Sequence, residues 1–218
     1  EERVEQMDGN SSETKEKIFN TAIALFHTKG YKGTTIRAIA ASAKVNSANI
    51  SYYFNGKQGL LEACFIRFFE PYIACLEEEV QNLSEDGLKR AAFRILHFQS
   101  ENHLLSRFVW REVTIDSQIV REILSTYFMK ERYLLKKLVK AWCGPGIQAG
   151  KLNFLMIQLK SMLSMPYLNS QYIREVWGMQ PEEPYFAEKY GKSVAEWLDS
   201  IRQNAGAQPE PLLLETAF

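Results

Sequence analysis

TTIRAIAASAKVNSANISYYFNGK, residues 34–57, reads as two short helices joined by a tight turn, with a sharp exit into a third. Thr34 or Thr35 can cap the first helix, because a hydroxyl ahead of an apolar periodic run accepts an orphan backbone N–H. Ile36, Ile39, Ala40 and Ala43 then recur at helical spacing and make one buried stripe. Lys44-Val45-Asn46 forms the turn, with Val45 as its one large apolar residue, placed to plug the gap between the helices. Asn46 or Ser47 caps the second helix, which runs to about Tyr53 with Ile50 inward and Phe54 just beyond. Its other face carries Ser47, Ala48, Asn49, Ser51, Tyr52 and Tyr53, with no acidic side chain. Such a face approaches a polyanion without repulsion and offers hydroxyl and amide groups to phosphates and base edges. The length fits a helix-turn-helix, whose second helix enters the major groove.

The flanks extend the pattern. Upstream, ETKEKIFNTAIALFHTKGYKGTTI reads as a first helix with Ile18, Ala22, Leu25 and Phe26 on one stripe, ended by Gly30. Downstream, NGKQGLLEA restarts a helix at Lys57. Through GYKGTT, IRAIA, KVNS, YYF and NGK, residues 14–62 resemble the TetR family of bacterial one-component regulators. Two positions depart from the family pattern: Ser51, where many members have tyrosine, and Lys44, where glycine is commoner.

The resemblance implies an all-α fold, a three-helix helix-turn-helix head on a C-terminal helical body, acting as a homodimer on near-palindromic double-stranded DNA. It implies DNA contacts from Thr34, Thr35, Lys44, Ser47, Asn49, Ser51, Tyr52, Tyr53 and Lys57. Tyr52 and Lys57 would meet phosphate; Ser47 and Asn49 suit base edges, since an amide can bond adenine through two hydrogen bonds. Tyr53 stands where histidine is common. In the family the last two long helices form the dimer interface. Here those are about 153–165 and 184–203, placing Leu155, Leu159, Met162, Leu163, Val194, Trp197, Leu198 and Ile201 in it. Two heads must reach successive major grooves roughly 34 Å apart.

Composition agrees with a DNA-facing head on a larger body. The chain has 218 residues, 46% of them hydrophobic, enough for a substantial core. Between Glu13 and Lys57 stand seven basic residues (Lys15, Lys17, Lys29, Lys32, Arg37, Lys44, Lys57) against two acidic ones (Glu13, Glu16). That head is net +5 on a chain of net +0, so the remainder carries −5. Cys64, Cys75 and Cys143 are odd in number, widely spaced and without a CxxC pattern, as expected of small core residues in a reducing cytosol. No signal peptide and no run of ~18 apolar residues is present, so the expected location is cytoplasmic and nucleoid-associated.

The expected domains are a flexible arm over 1–12, the DNA-binding head over 13–56, a helical regulatory and dimerisation body over 57–205, and a tail over 206–218. A long helix from Lys57 should kink or break near Glu70, before Pro71. Ser84 should cap the next, with Leu88, Ala91, Ala92, Ile95 and Leu96 inward. A short helix over SRFVWREVTID and a long one over Gln118–Ala141 follow, then a stop at CGPG. An apolar helix over about 153–165 ends at Pro166, and the last opens at Pro181 or Glu182. No segment alternates as a strand does.

Nothing points to catalysis. His27, His97 and His103 form no metal pattern, and no GxSxG, P-loop or GxGxxG occurs, so neither an enzyme nor a cofactor or metal is expected. Two body functions remain open. TetR-type bodies often enclose a small-molecule pocket, for which Phe65, Phe69, Phe93, Phe108, Trp110 and Tyr127 are the candidates, although aromatics at helical spacing are also plain core. Alternatively, NISYYFNGKQGLLE, FIRFFE, PYLNSQYIREV and PYFAEKYGKSVAEWL resemble a sporulation-linked branch of the family in Bacillus relatives. That likeness implies action on the division protein FtsZ through body charges such as Glu62, Glu70, Arg107, Arg111 and Glu188, any of which can equally be a solvated face.

Overall fold

The computed structural model describes residues 2–115, 118–144 and 149–205, and among these every regular element is a helix. The head comprises α1 (Glu2–Gly33), α2 (Ile36–Ala43) and α3 (Ser47–Phe54). The body comprises α4 (Gly56–Gln81), α5 (Gly87–Glu101), α6 (His103–Val113), α7 (Gln118–Cys143), α8 (Ala149–Leu168), α9 (Ser170–Trp177) and α10 (Pro184–Ala205). α1 begins at Glu2, so its backbone passes through the polar stretch expected to form an arm. Its one break is Gly30, at φ 74°, which turns the chain toward α2.

Ile18, Phe19, Ala22 and Phe26 from α1 meet Ile39, Ala40, Ala43, Ile50 and Phe54 in the head core, all buried. The same core continues along α4 into the body, through Leu60, Leu61, Phe65, Phe68, Phe69, Tyr72, Ile73 and Leu76. α5 lies centrally, packed against α4, α6, α7, α8 and α10. Its Gln99 is fully buried: Nε2 donates to the Leu163 carbonyl at 2.9 Å, and Oε1 accepts from Trp110 Nε1 at 2.5 Å. That amide ties α5, α6 and α8 together, as a buried polar group must be partnered.

α4 runs from Gly56 to Gln81 with Pro71 inside it, rather than breaking near Glu70. A proline in a helix costs about 3 kcal/mol. Its neighbours Phe68, Phe69, Tyr72 and Ile73 are buried, and each such side chain contributes about 1.5–3 kcal/mol, so packing outweighs the missing bond. α8 likewise passes through Pro166 to Leu168, anchored where Tyr167 OH donates to the Leu96 carbonyl at 2.6 Å. Ser84 does not cap α5. It starts a turn, accepting from Gly87 N at 3.2 Å, and its hydroxyl takes a hydrogen bond from Arg90 at 2.9 Å.

The residues expected at a dimer interface pack against this chain's own core. Leu155, Leu159, Leu163, Val194 and Leu198 are buried within this chain, and Met162, Trp197 and Ile201 pack half-buried on the same core. The reason is that α10 lies along α5 and α8 along α6, so these stripes serve the chain's own core. Another face of α8 is left apolar and exposed: Phe154, Ile157 and Met165. The tail over 206–218 lies outside the described residues, as do Pro145 and Gly146 of the CGPG stop.

Candidate nucleic-acid interface

The start of α2 and the turn between α2 and α3 are each set by local hydrogen bonds. Thr35 Oγ1 accepts from Ala38 N at 3.1 Å and so caps α2. Asn46 Oδ1 accepts from Ala48 N at 2.9 Å and caps α3. Lys44 ends α2 in the left-handed region, φ 54°, with its N–H bonded back to Ala41 O at 3.2 Å. That backbone suits glycine, which has no Cβ to strain; here a lysine holds it. Val45 fills the gap, half-buried against the core.

α3 buries Ile50 and Phe54. Ser47, Ala48, Ser51 and Tyr52 face solvent, Tyr52 at 81% exposure, and Asn49 is half-exposed. Tyr53 is partly buried: its ring stands edge-on to Tyr52 at 4.9 Å, and its hydroxyl lies 3.1 Å from Ser11 Oγ on α1. Lys57 lies half-buried with its ammonium 4.3 Å from the Tyr31 ring centre, and burial lowers its pKa. Lys44 is exposed.

Thr34 departs from expectation. It is 1% exposed, and its hydroxyl donates to Gly30 O at 2.8 Å and Leu25 O at 3.2 Å. It therefore fastens the end of α1 and does not face a ligand. Two positions that the spacing does not single out also shape the interface. Ser11 meets Tyr53 across 42 residues, a pairing with no local signal. At Gly59 in α4, an added Cβ would lie 1.6 Å from the Phe54 carbonyl oxygen, so only glycine lets α3 turn this tightly into α4.

The candidate body residues divide. Phe65, Phe69 and Trp110 are buried and Tyr127 half-buried, in an aromatic cluster that includes Phe69–Tyr127 at 5.2 Å and Phe69–Trp110 at 6.0 Å, whereas buried Phe108 stacks on Phe26 of α1 at 5.1 Å. Phe93 is 37% exposed and lies on His97 at 4.4 Å, outside that cluster. None of them lines the open cleft of about 440 Å³ between α7 and α8, whose walls include Glu131, Leu135, Met156, Ile157 and Lys160. There Lys160 pairs with buried Glu131 and lies 4.3 Å from the Trp110 ring centre. Of the charges considered for a protein partner, Glu70 accepts from Tyr127 OH at 2.8 Å, Glu62 from Gln58 at 3.3 Å, and Glu188 pairs with Lys192 at 2.7 Å. Arg107 and Arg111 do share a face, but that face meets α1: Arg111 donates to Phe26 O at 2.6 Å, and Arg107 lies 3.2 Å from His27 Nε2. Among the described residues no His, Cys, Asp and Glu cluster could hold a metal ion, and no helix is long and apolar enough to cross a membrane.

Residues 18–64 match the family model of bacterial regulatory proteins, tetR family. The chain is 45% identical over 197 residues to YttP of Bacillus subtilis (strain 168), a probable HTH-type transcriptional regulator, covering 86% of this chain and 93% of YttP. It is 32% identical over 94 residues to IcaR of Staphylococcus epidermidis, the negative transcriptional regulator of the biofilm operon icaADBC, covering 41% and 49% of the two chains. The fold matches the crystal structure of a tetR-family regulatory protein from Rhodococcus RHA1 at TM-score 0.68 and 17% identity, over 85% and 96% of the two chains. Helix-turn-helix geometry, a helical body and these relatives together make the chain a member of the TetR family of bacterial transcriptional regulators.

Proposed function

We propose that the chain works as a homodimer that reads a near-palindromic DNA site with α3. The observation carrying this is the outer face of α3: small hydroxyl and amide side chains and an exposed phenol at Tyr52, without a carboxylate, on a head whose α2 and α3 are both capped at their N-termini. Tyr52 serves phosphate, with Lys44, Thr35, Ser51 and Lys57 supporting; Asn49 and Ser47 read base edges. Exposed Phe154, Ile157 and Met165 on α8 supply the apolar face for the second copy. Titration of specific and scrambled duplexes tests the assignment. Tyr52→Ala should weaken binding to both, and Asn49→Ala only to the specific site, by about 1–3 kcal/mol. Undiminished binding by Tyr52→Ala would overturn it.

Outside the head, the segments that resemble RefZ support a role in cell division during sporulation, with the DNA-bound dimer acting on FtsZ. Its test is chromatin immunoprecipitation with polymerisation of purified FtsZ. Few sites away from promoters, with FtsZ polymers disrupted by the DNA-bound protein, support it. Promoter binding released by a small molecule supports instead a ligand-responsive repressor, a reading favoured by the α7–α8 cleft.

A further inference from the structure

Cations collect where α1 meets the body. Arg111 donates to the carbonyls of Phe26 at 2.6 Å and His27 at 3.3 Å, and Glu112 lies 3.7 Å from its Nε. Arg107, one turn earlier on α6, has no such acid. Its guanidinium meets His27 Nε2 at 3.2 Å and Gln171 Oε1 at 3.5 Å, both neutral partners. Among the described residues no carboxylate pairs with it. A half-buried arginine without an anion is unfavourable, since desolvation is not repaid by a counter-charge. Burial and then Arg174 and Arg111 work against its charge, and Glu182 offsets them only in part, so its pKa is lowered. His27 feels the same field: burial first, then Arg107, Arg111, His103 and Arg174, lowers its pKa.

Beside these groups lies a cavity of about 60 Å³, walled by His27, His103, Arg107, Ser170, Arg174 and Glu182 among others. At ~10–15 Å³ for each water, that is room for about four to six waters or for one tetrahedral oxyanion. Glu182 makes its direct ion pair with Arg174 at 2.8 Å and reaches Arg107 only as a more distant counter-charge. The wall therefore keeps one positive charge in excess before either histidine protonates. Arginine forks match the oxygens of phosphate and sulfate in pairs.

We propose that this cavity binds one free inorganic oxyanion, phosphate or sulfate, held by Arg107 with Arg174 and the two histidines. The ion would brace the head, through α1, against α6 and α9 of the body. The cavity has no room for the sugar of a phosphomonoester beside its phosphate.

Isothermal titration calorimetry on the full-length protein without DNA tests the site, comparing phosphate, sulfate, chloride and glucose 6-phosphate at matched ionic strength. Phosphate and sulfate should bind saturably, one per chain, in the millimolar range or tighter. Arg107→Gln should weaken this at least about tenfold, and Arg107→Lys less, because one charge remains without the fork. Circular dichroism checks that the variants fold; should Arg107→Gln not fold, Arg174→Gln takes its place. Unchanged phosphate affinity in the folded variant, or a response equal to that of chloride, overturns the site. Tighter binding of glucose 6-phosphate than of phosphate overturns the assignment to a free ion. An effect of phosphate on DNA affinity rests on the DNA-binding reading; binding to the free protein does not, so the two can fail separately.

Discussion

At Lys44 stability and recognition pull apart. The left-handed backbone at φ 54° disfavours any Cβ, by about 1–2 kcal/mol, while the exposed ammonium lies on the turn ahead of α3. Lys44→Gly should raise stability by about 1 kcal/mol in urea unfolding and lower the salt slope of DNA binding by about 1. Thr34 behaves in the opposite manner: buried, and donating to two carbonyls at the end of α1. Thr34→Val should cost about 1–2 kcal/mol of stability, and Thr34→Ser much less. His27 gives a pH dependence whose sign follows from its surroundings. Arg107, Arg111, His103 and Arg174 face it from α6 and α9, and with burial they hold its pKa below the usual 6.5. The folded state thus disfavours the imidazolium. Its contribution is fully present above about pH 6.5 and is lost as pH falls. His27→Gln should flatten the fall in urea midpoint between about pH 7 and 5.

At the scale of elements, the α3–α4 corner positions the face proposed to read DNA. Gly59 allows it, since a Cβ would overlap the Phe54 carbonyl at 1.6 Å and its carbon at 2.8 Å. Gly59→Ala should displace α3, lower the melting temperature by an amount equivalent to more than about 2 kcal/mol, and reduce DNA affinity together with it. Gly150→Ala in α8, whose Cβ would meet nothing within 4 Å, should instead stabilise by up to about 1 kcal/mol. The helix breakers in the sequence do not act alike. Gly30 breaks α1, yet Pro71 and Pro166 lie inside continuous helices. A proline signals a lost hydrogen bond; whether the helix survives depends on what its neighbours bury.

For the whole molecule, the exposed apolar face of α8 makes the test of assembly. Ile157, 62% exposed, should tolerate Ile157→Glu in the single chain. In analytical ultracentrifugation the variant should sediment at half the mass of the parent, and its affinity for a palindromic duplex should fall. A parent that is monomeric when bound to one full site overturns the dimer on this face. Leu155, Leu159, Leu163, Val194 and Leu198, expected at that interface, form apolar stripes buried within the single chain. Periodicity marks which face of a helix avoids water, but not whether its partner belongs to the same chain.

By itself the sequence determined the helical class, the turn over Lys44–Asn46, the caps on α2 and α3 to within two adjacent residues each, and the acid-free face of α3, because these follow from hydrogen bonds and spacing within a few residues. Tertiary structure decided what depends on contacts across long separations. It buried Thr34 under α1, set Tyr53 against Ser11, closed α4 around Pro71, turned the stripes of α8 and α10 inward, and brought His27 beside Arg107 across 80 residues. Burial and pairing are properties of the packed chain, so no local pattern encodes which of two similar apolar or cationic faces will meet a neighbour.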